Sequence, residues 1–493
     1  MRIVVIGHGM VGSRVAADLA AADPGLRLTV LGQEDHDPYN RVQLSSVVAG
    51  RADPVSLALE QVDPARAHVL RGVRAARIDR ARHVVVDVRG EEHPYDRLVL
   101  ATGSVARIPA VPGLRNGPEG TGAGLIAGVS PLKDLDDAAR IVEIARPGRP
   151  AVVLGAGVLG IEVATGLASR GMHVTLVHHR ERLMERQLDP DASTIVRGSL
   201  ERLGIAVATG VGAQGVVAPG GRLERVMLSD GSQHAADLMV LCTGTAPQTG
   251  LARDAGLECA AGIVVGEDLA SPTDPDVFAI GDCAQPPEGG SGLVAQGWEQ
   301  ARRLVGAWAP GPAGAPGPLR IRGGELVRVK AVGLNLVTMG SIERPGPGAH
   351  APRSVRLSDP TGGRFTEVVV QEGRLLAATV VGDEEAAAEL SAAFTLRTLV
   401  PRDPVHLLAR PLAPGAAAPA PAASEMAGSD ILCQCNGVTK GHIDDAVRQG
   451  CGTVAEVSRC TRAGTGCGTC RSRIQELLDA SSREAPVAAV AAV

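Results

Sequence analysis

Cysteine is missing from the first half of this chain: none of its nine cysteines precedes Cys242, and six lie between Cys433 and Cys470. No thiol chemistry is therefore open to the first 240 residues. The crowding at the other end points to a metal or cluster site rather than a disulfide framework. Aromatic residues are scarce too, with two Trp, two Tyr and three Phe, so the core must be built of Val, Leu, Ile and Ala. Only three lysines occur, Lys133, Lys330 and Lys440, among 49 Lys and Arg residues. With the abundant Ala and Gly, this reads as genome composition. Net charge is −5 and no basic block is present, which argues against nucleic acid as a partner. No apolar run is long enough to span a membrane. Met1–Gly7 runs straight into a strand and a glycine turn, leaving no room for a signal peptide, so a cytoplasmic location is expected.

What is present is organised. A chain of 493 residues predicts two to four domains. Residues 1–31 read as strand, glycine turn, helix and strand, and the pattern returns at 150–178. Residues 320–400 carry strand-like runs at Leu326–Val329, Glu367–Val370 and Leu375–Val381, then an Ala-rich helical stretch near 384–399. This predicts a separate α+β domain. A Pro/Ala-rich linker over 411–428 leads to a Cys-rich module of about 50 residues, small enough to need a metal or cluster for support. The last ten residues read as a frayed tail.

Gly7-His8-Gly9-Met10-Val11-Gly12 follows a strand and opens a helix. In such a turn the first glycine permits the bend, the second admits a pyrophosphate close to the backbone, and the third lets the helix pack on the sheet. The helix N-terminus offers free N–H groups to the phosphates. Gly155-Ala156-Gly157-Val158-Leu159-Gly160 repeats the motif after Ala151–Leu154. Two such fingerprints about 150 residues apart resemble the glutathione-reductase-like flavoproteins. Leu98–Ser104, with Ala101, Thr102 and Gly103, resembles that family's crossing segment, and Thr273–Asp282 resembles its second FAD motif. The resemblance implies FAD at the first turn and NADH or NADPH at the second, with Asp282 on the ribityl chain. Glu34 is the candidate for the FAD ribose, although Gln33 competes for the position. No acid ends the corresponding strand of the second unit; Arg180 or His178 could take a 2′-phosphate, or both could face solvent. The nicotinamide choice therefore stays open. Glu162 matches a position that meets the nicotinamide amide in related reductases, and reads equally as an ordinary first-turn acid of its helix. The family's disulfide reductases use a cysteine beside the flavin, and this chain has none there.

The C-terminal module reads Cys433-x-Cys435, 31 residues, then Cys467-x-x-Cys470. Four thiolates suit zinc or an iron–sulfur cluster. Helices are predicted to begin near Thr439 and Thr453 as N-caps, and a third after Cys470. The spacing resembles the bacterioferritin-associated-ferredoxin-like 2Fe–2S domain, and attachment to a reductase favours the cluster, because zinc carries no electrons. Cys451 and Cys460 read as packing residues. Cys242, Cys259 and Cys283 read as small buried apolar ones.

Pro38–Ser45, Leu183–Asp189 and Asn436–Gly441 resemble the N-terminal half of the NAD(P)H-dependent assimilatory nitrite reductase large subunit. That resemblance runs to about residue 480 and implies that Tyr39–Ser45 lies against FAD, with Arg41 a contact. The nitrite reductase continues into a sirohaem and 4Fe–4S domain, while this chain stops, so it is not expected to reduce nitrite by itself. It looks instead like the electron-transfer subunit of assimilatory nitrate reductase, which serves a separate molybdopterin catalytic subunit. Three other readings stand beside it: a ferredoxin or rubredoxin reductase, a donor to a separate nitrite reductase, and an iron–sulfur carrier or redox sensor. No residue need act as a general acid or base, so no catalytic residue is named. The expected fold class is α/β, two dinucleotide-binding domains followed by an α+β domain and a small helical 2Fe–2S module. The implied division is 1–115 and 245–318 for a two-part FAD domain, 116–244 for NAD(P)H, 319–410 for an interface domain, 411–429 for the linker, 430–482 for the 2Fe–2S domain and 483–493 for the tail. The linker would let the module swing between flavin and partner.

Overall fold

The computed structural model describes residues 1–116, 124–308, 326–340, 351–408, 423–433, 436–466, 468 and 470–484. Most of the expected linker, all but the first two residues of the expected tail and the stretch 309–325 lie outside the described residues.

Strand β1 (Arg2–Ile6) runs into helix α1 (Met10–Ala22) and returns in strand β2 (Arg27–Leu31). β1 is the centre of a six-stranded sheet, flanked by β2 and by the strand Arg97–Leu100, with Val4 opposite Thr29 and Leu98. Five strands of that sheet are parallel, and the short strand Ala270–Ser271 closes one edge antiparallel. The unit recurs as β3 (Pro150–Leu154), α2 (Val158–Ser169) and β4 (His173–His178), at the heart of a five-stranded parallel sheet. Ile3, Val5, Val152 and Val153 are wholly buried, which explains the continuous Val/Ile/Leu runs: both faces of a parallel sheet are covered. Helix α3 (Val294–Trp308) packs beside α1.

Residues 326–340 and 351–408 carry a five-stranded antiparallel sheet with the helix Glu384–Leu396 against it. The three predicted runs are strands here. Two further strands, Leu336–Met339 and Arg353–Asp359, escaped the sequence reading. Arg353–Asp359 is an edge strand that is mostly exposed and polar, so it lacks the apolar alternation that marks a strand. The helix stops at Leu396 because Arg397 turns left-handed, at φ +51°.

The C-terminal module is a two-stranded ribbon, Ile431–Cys433 with Val438–Thr439, followed by α4 (Lys440–Arg448), α5 (Val454–Thr461) and α6 (Arg471–Glu484). Thr439 and Thr453 cap α4 and α5 as expected, Thr453 in a capping box with Glu456. Ala423 and Met426, near the end of the expected linker, are buried in the module's core. Met426 gives that small core extra apolar surface. The chain is thus packed some residues before the linker was expected to end.

Candidate functional site

The two glycine turns are built by the same steric demand. Gly7 sits at φ +114°, and a Cβ there would come within 2.1 Å of the Ala101 carbonyl oxygen. A Cβ on Gly12 would lie 1.9 Å from the Gly7 carbonyl oxygen. In the second turn Gly155, at φ +108°, and Gly160 stand in the same relation to Cys242 and to each other, at 2.3 and 1.8 Å. No side chain caps α1 or α2, and neither has an acid in its first turn. Their leading N–H groups are left to an anionic ligand.

Around the first turn, Met10 and Val11 hold the opposite wall. The Met10 carbonyl accepts from Trp298 Nε1 at 3.2 Å, and Val11 packs on Gly281 and Gly297. Gly281 N–H donates to Gln300 Oε1 at 2.7 Å, fixing the turn that carries Asp282. Thr102 Oγ1 donates to the Gln248 carbonyl at 2.8 Å, and Gly103 turns left-handed beside it. Asp282 accepts from Ser104 Oγ at 2.7 Å, and Lys133 Nζ donates to the same hydroxyl at 2.7 Å. Lys133 was not singled out by sequence. Burial pushes its ammonium below the ordinary lysine range, against the pull of Asp282. Glu34 and Arg41 are brought together as an ion pair, with Tyr39 OH donating to Glu34 at 2.7 Å. The Arg41 guanidinium lies 4.7 Å over the Tyr39 ring and borders Gly9. Gln33, the competitor of Glu34, is exposed. Among the described residues, both ring nitrogens of His8 are buried without a hydrogen-bond partner, orphaned polar atoms inside the turn itself. The glycine cradle, the free helix start and these orphans fit a dinucleotide.

In the second unit Gly157, Val158 and Leu159 begin α2, as expected. His178 does not face solvent. It is buried, its Nδ1 accepts from Ala156 N–H at 3.3 Å, and its Nε2 meets Glu185 Oε2 at 2.9 Å. The glycine turn therefore rests on this imidazole, which leaves exposed His179 and Arg180 at the strand end. Glu162 is not a first-turn acid: it is the fifth residue of α2 and is 2% exposed. It accepts from Ser45 Oγ at 2.5 Å, Lys330 Nζ at 2.7 Å and Lys330 N–H at 2.9 Å. One carboxylate thus ties the second unit to the Tyr39–Ser45 segment and to the antiparallel-sheet domain. Burial, with the Glu162 charge adding to it, pushes the nearby Cys242 thiol up to about 12. Cys283 is buried as expected, whereas Cys242 and Cys259 are half-buried.

In the C-terminal module Cys433 and Cys470 are both buried; Cys435 and Cys467 lie outside the described residues. Asn436, at the start of the Asn436–Gly441 motif, is the organiser. Its Nδ2 lies 3.8 Å from Cys433 Sγ and donates to the Arg462 carbonyl at 2.6 Å and to Thr465 Oγ1 at 3.1 Å. It joins the loops that carry the two cysteine pairs and points a donor at sulfur, which fits a thiolate-held cluster. Cys451 packs as expected; Cys460 does not, being exposed.

The module is seated on the first unit. Asn40 Nδ2 donates to the Thr465 and Gly466 carbonyls, at 2.6 and 2.7 Å, in the loop just before Cys467. Arg14 donates to Asn436 Oδ1 at 3.2 Å. Arg462 spans Asp18 at 2.5 Å and Glu60 at 2.7 Å. Nothing in the sequence signals this seat: Tyr39–Ser45 is expected against FAD alone. The segment that borders Gly9 through Arg41 therefore grips the cysteine loop through the adjacent residue.

Comparison with known proteins agrees with this construction. Residues 1–303 match the family model described as pyridine nucleotide-disulphide oxidoreductase, and residues 431–480 match the BFD-like 2Fe-2S binding domain. The chain is 29% identical to the nitrite reductase NAD(P)H of Bacillus subtilis (strain 168), over 97% of this chain and 57% of that protein. It is also 29% identical to the assimilatory nitrate reductase electron transfer subunit of the same organism, over 97% and 59%. The chain thus spans under three-fifths of both relatives, and where it stops does not separate the two. Among solved structures, the covalent putidaredoxin reductase–putidaredoxin complex matches with a TM-score of 0.70 and 26% identity, over 82% of this chain and 95% of that one. Among the described residues, no helix is long and apolar enough to cross a membrane. With paired glycine turns on two parallel sheets and a family model covering its first 303 residues, the chain belongs to the pyridine nucleotide-disulphide oxidoreductases, as an NAD(P)H- and FAD-dependent member that carries a 2Fe–2S domain.

Proposed function

We propose that this chain serves a separate protein acceptor through its 2Fe–2S domain, and that the acceptor is the molybdopterin catalytic subunit of an assimilatory nitrate reductase. FAD supplies the conversion between a hydride donor and one-electron carriers, and the 2Fe–2S cluster supplies one-electron transfer. The residues of the chain position these groups. Gly7, Gly9, Met10, Val11, Gly12, Glu34, Arg41, Ala101, Thr102, Gly103 and Asp282 would hold FAD. Gly155, Gly157, Val158, Leu159, Gly160 and Glu162 would hold the nicotinamide dinucleotide. Cys433, Cys435, Cys467 and Cys470 would hold the cluster. The single observation that carries the reading is the shared segment: Arg41 borders Gly9, and Asn40 holds the Thr465–Gly466 loop. A stretch of backbone shared by the two proposed cofactor sites supports direct transfer between them. The similarity to the nitrate reductase electron transfer subunit supports the choice of acceptor. Equal similarity to the nitrite reductase supports a second reading, donation to a separate sirohaem protein.

The test uses the full-length holoprotein. Arg462→Glu, which sets a carboxylate against Asp18 and Glu60, should leave NADH:ferricyanide turnover within about twofold and slow NADH-dependent reduction of the cluster about tenfold, while the charge-conserving Arg462→Lys should stay within about threefold of wild type. Mixed with a molybdopterin nitrate-reducing subunit, the wild-type protein should support NAD(P)H-dependent nitrite formation. Electrons passing only to a ferredoxin or to a sirohaem protein would overturn the choice of acceptor. Unchanged cluster reduction in Arg462→Glu would overturn the docked route.

A further inference from the structure

Two cysteines of the C-terminal module lie outside the four assigned to the cluster. Cys451 follows the turn that ends α4, with its N–H bonded to the Ala446 carbonyl, and is buried; Cys460 lies in the last turn of α5 and is exposed. Both are free thiols, and their Sγ atoms stand 2.9 Å apart. That is inside ordinary sulfur contact, and closing it to a covalent bond of about 2.05 Å needs a shift of roughly 0.9 Å. Both sides of the contact are fixed by local structure. Thr453 and Glu456 cap α5 reciprocally, Glu456 also holding the Gly452 N–H at 2.8 Å, so the Gly452–Thr453 turn cannot drift from its helix. Thr461 donates back to the Val457 carbonyl at 2.7 Å, keeping the last turn wound.

We infer that Cys451 and Cys460 form a reversible disulfide by exchange with low-molecular-weight disulfides, a thiol centre separate from the cluster. The Cys460 thiolate attacks the small disulfide, forming a mixed disulfide and releasing one small thiol. Cys451 then attacks the Cys460 sulfur, closing the protein disulfide and releasing the second small thiol. Two protein thiols are oxidised, one small disulfide is reduced to two thiols, and each thiolate's proton goes to a departing thiol. The order follows from exposure: Cys460 is exposed, and buried Cys451 stands in contact behind it. The bond would brace the helix that delivers Arg462, whose guanidinium clamps the module onto Asp18 and Glu60. Oxidation is thereby tied to the docking contact, two residues beyond Cys460.

The experiment is thiol trapping on anaerobically purified holoprotein equilibrated with oxidised and reduced glutathione. Trypsin cleaves at Arg459, between the two cysteines, so the disulfide appears as Gln449–Arg459 covalently joined to Cys460–Arg462. Expected is that joined pair at oxidising ratios, lost on adding dithiothreitol, with iron and sulfide content unchanged. Cys451→Ser should keep its cluster absorption and instead hold glutathione on Cys460. If the wild type carries glutathione on Cys460 without closing, or if both thiols take maleimide at every ratio, the inference fails. The readout does not involve NAD(P)H turnover, so it stands apart from the acceptor assigned above.

Discussion

The two glycine turns are near copies, yet they are finished by opposite means. Both use a first glycine pressed on a neighbouring carbonyl and a third pressed on the first. In the first unit the end of β2 leads to an acid, Glu34, engaged by Tyr39 and Arg41 on the surface of the turn. In the second the end of β4 is a buried imidazole that props the turn from below, and the acid, Glu162, is moved into the helix and locked to two other domains. A shared backbone fingerprint therefore builds the same cradle twice, while the side chains that finish each cradle come from wherever the fold can supply them.

The largest effect expected is from breaking the fingerprint one copy at a time. Gly12→Ala places a methyl 1.9 Å from the Gly7 carbonyl, an overlap backbone cannot absorb without moving α1 off its strand. This variant should purify with less than about a tenth of the wild-type FAD, by absorbance. Gly160→Ala makes the matching clash at 1.8 Å in the second unit and should keep FAD while the KM for NAD(P)H rises more than about tenfold. FAD loss in both variants would show that the turns are not independent.

Lys330→Met tests the acid that distinguishes the second unit. Glu162 is 2% exposed, and Lys330 supplies two of its three hydrogen bonds, one from backbone and one from the ammonium. Removing the ammonium strands a buried carboxylate. The expected cost is about 3 kcal/mol, the low end for a broken buried pair, because the Lys330 side chain keeps 21% of its exposure. Thermal unfolding should report it, and Glu162→Gln/Lys330→Met should recover more than half, since a neutral amide needs no counter-charge. A double variant as unstable as the single one would mean that Lys330 acts through packing.

The sequence made the backbone of this comparison readable and left its side chains hidden, for a physical reason. Glycine turns, parallel strands and N-caps are local, so Gly7–Gly12, Gly155–Gly160, Thr439 and Thr453 announce themselves within a few residues. Lys133 at Asp282, Lys330 at Glu162 and Asn40 at Gly466 are pairs made across 149, 168 and 426 positions, and nothing local marks them. A signal was nonetheless present in composition. The three lysines read as a residue of genome bias, yet each sits in an ion pair: Lys133 with Asp282, Lys330 with Glu162, and Lys440 with Asp444 inside the iron–sulfur module. In a chain that uses arginine almost everywhere, a retained lysine was informative. His178 misled for the reverse reason: an imidazole at a strand end looks solvated until its partners, Ala156 and Glu185, are known.

The smallest effect concerns nicotinamide choice. With His178 committed to the turn, the first exposed side chains past β4 are His179 and Arg180. Arg180 is a guanidinium suited to a 2′-phosphate and of little use to a 2′-hydroxyl. Arg180→Ala should therefore lower kcat/KM for NADPH about tenfold, some 1.4 kcal/mol, and change that for NADH less than about twofold. Steady-state assays with both nucleotides read the difference directly. Equal losses for the two would place Arg180 on the pyrophosphate, which both nucleotides share, and would leave the 2′ position unread by this side chain.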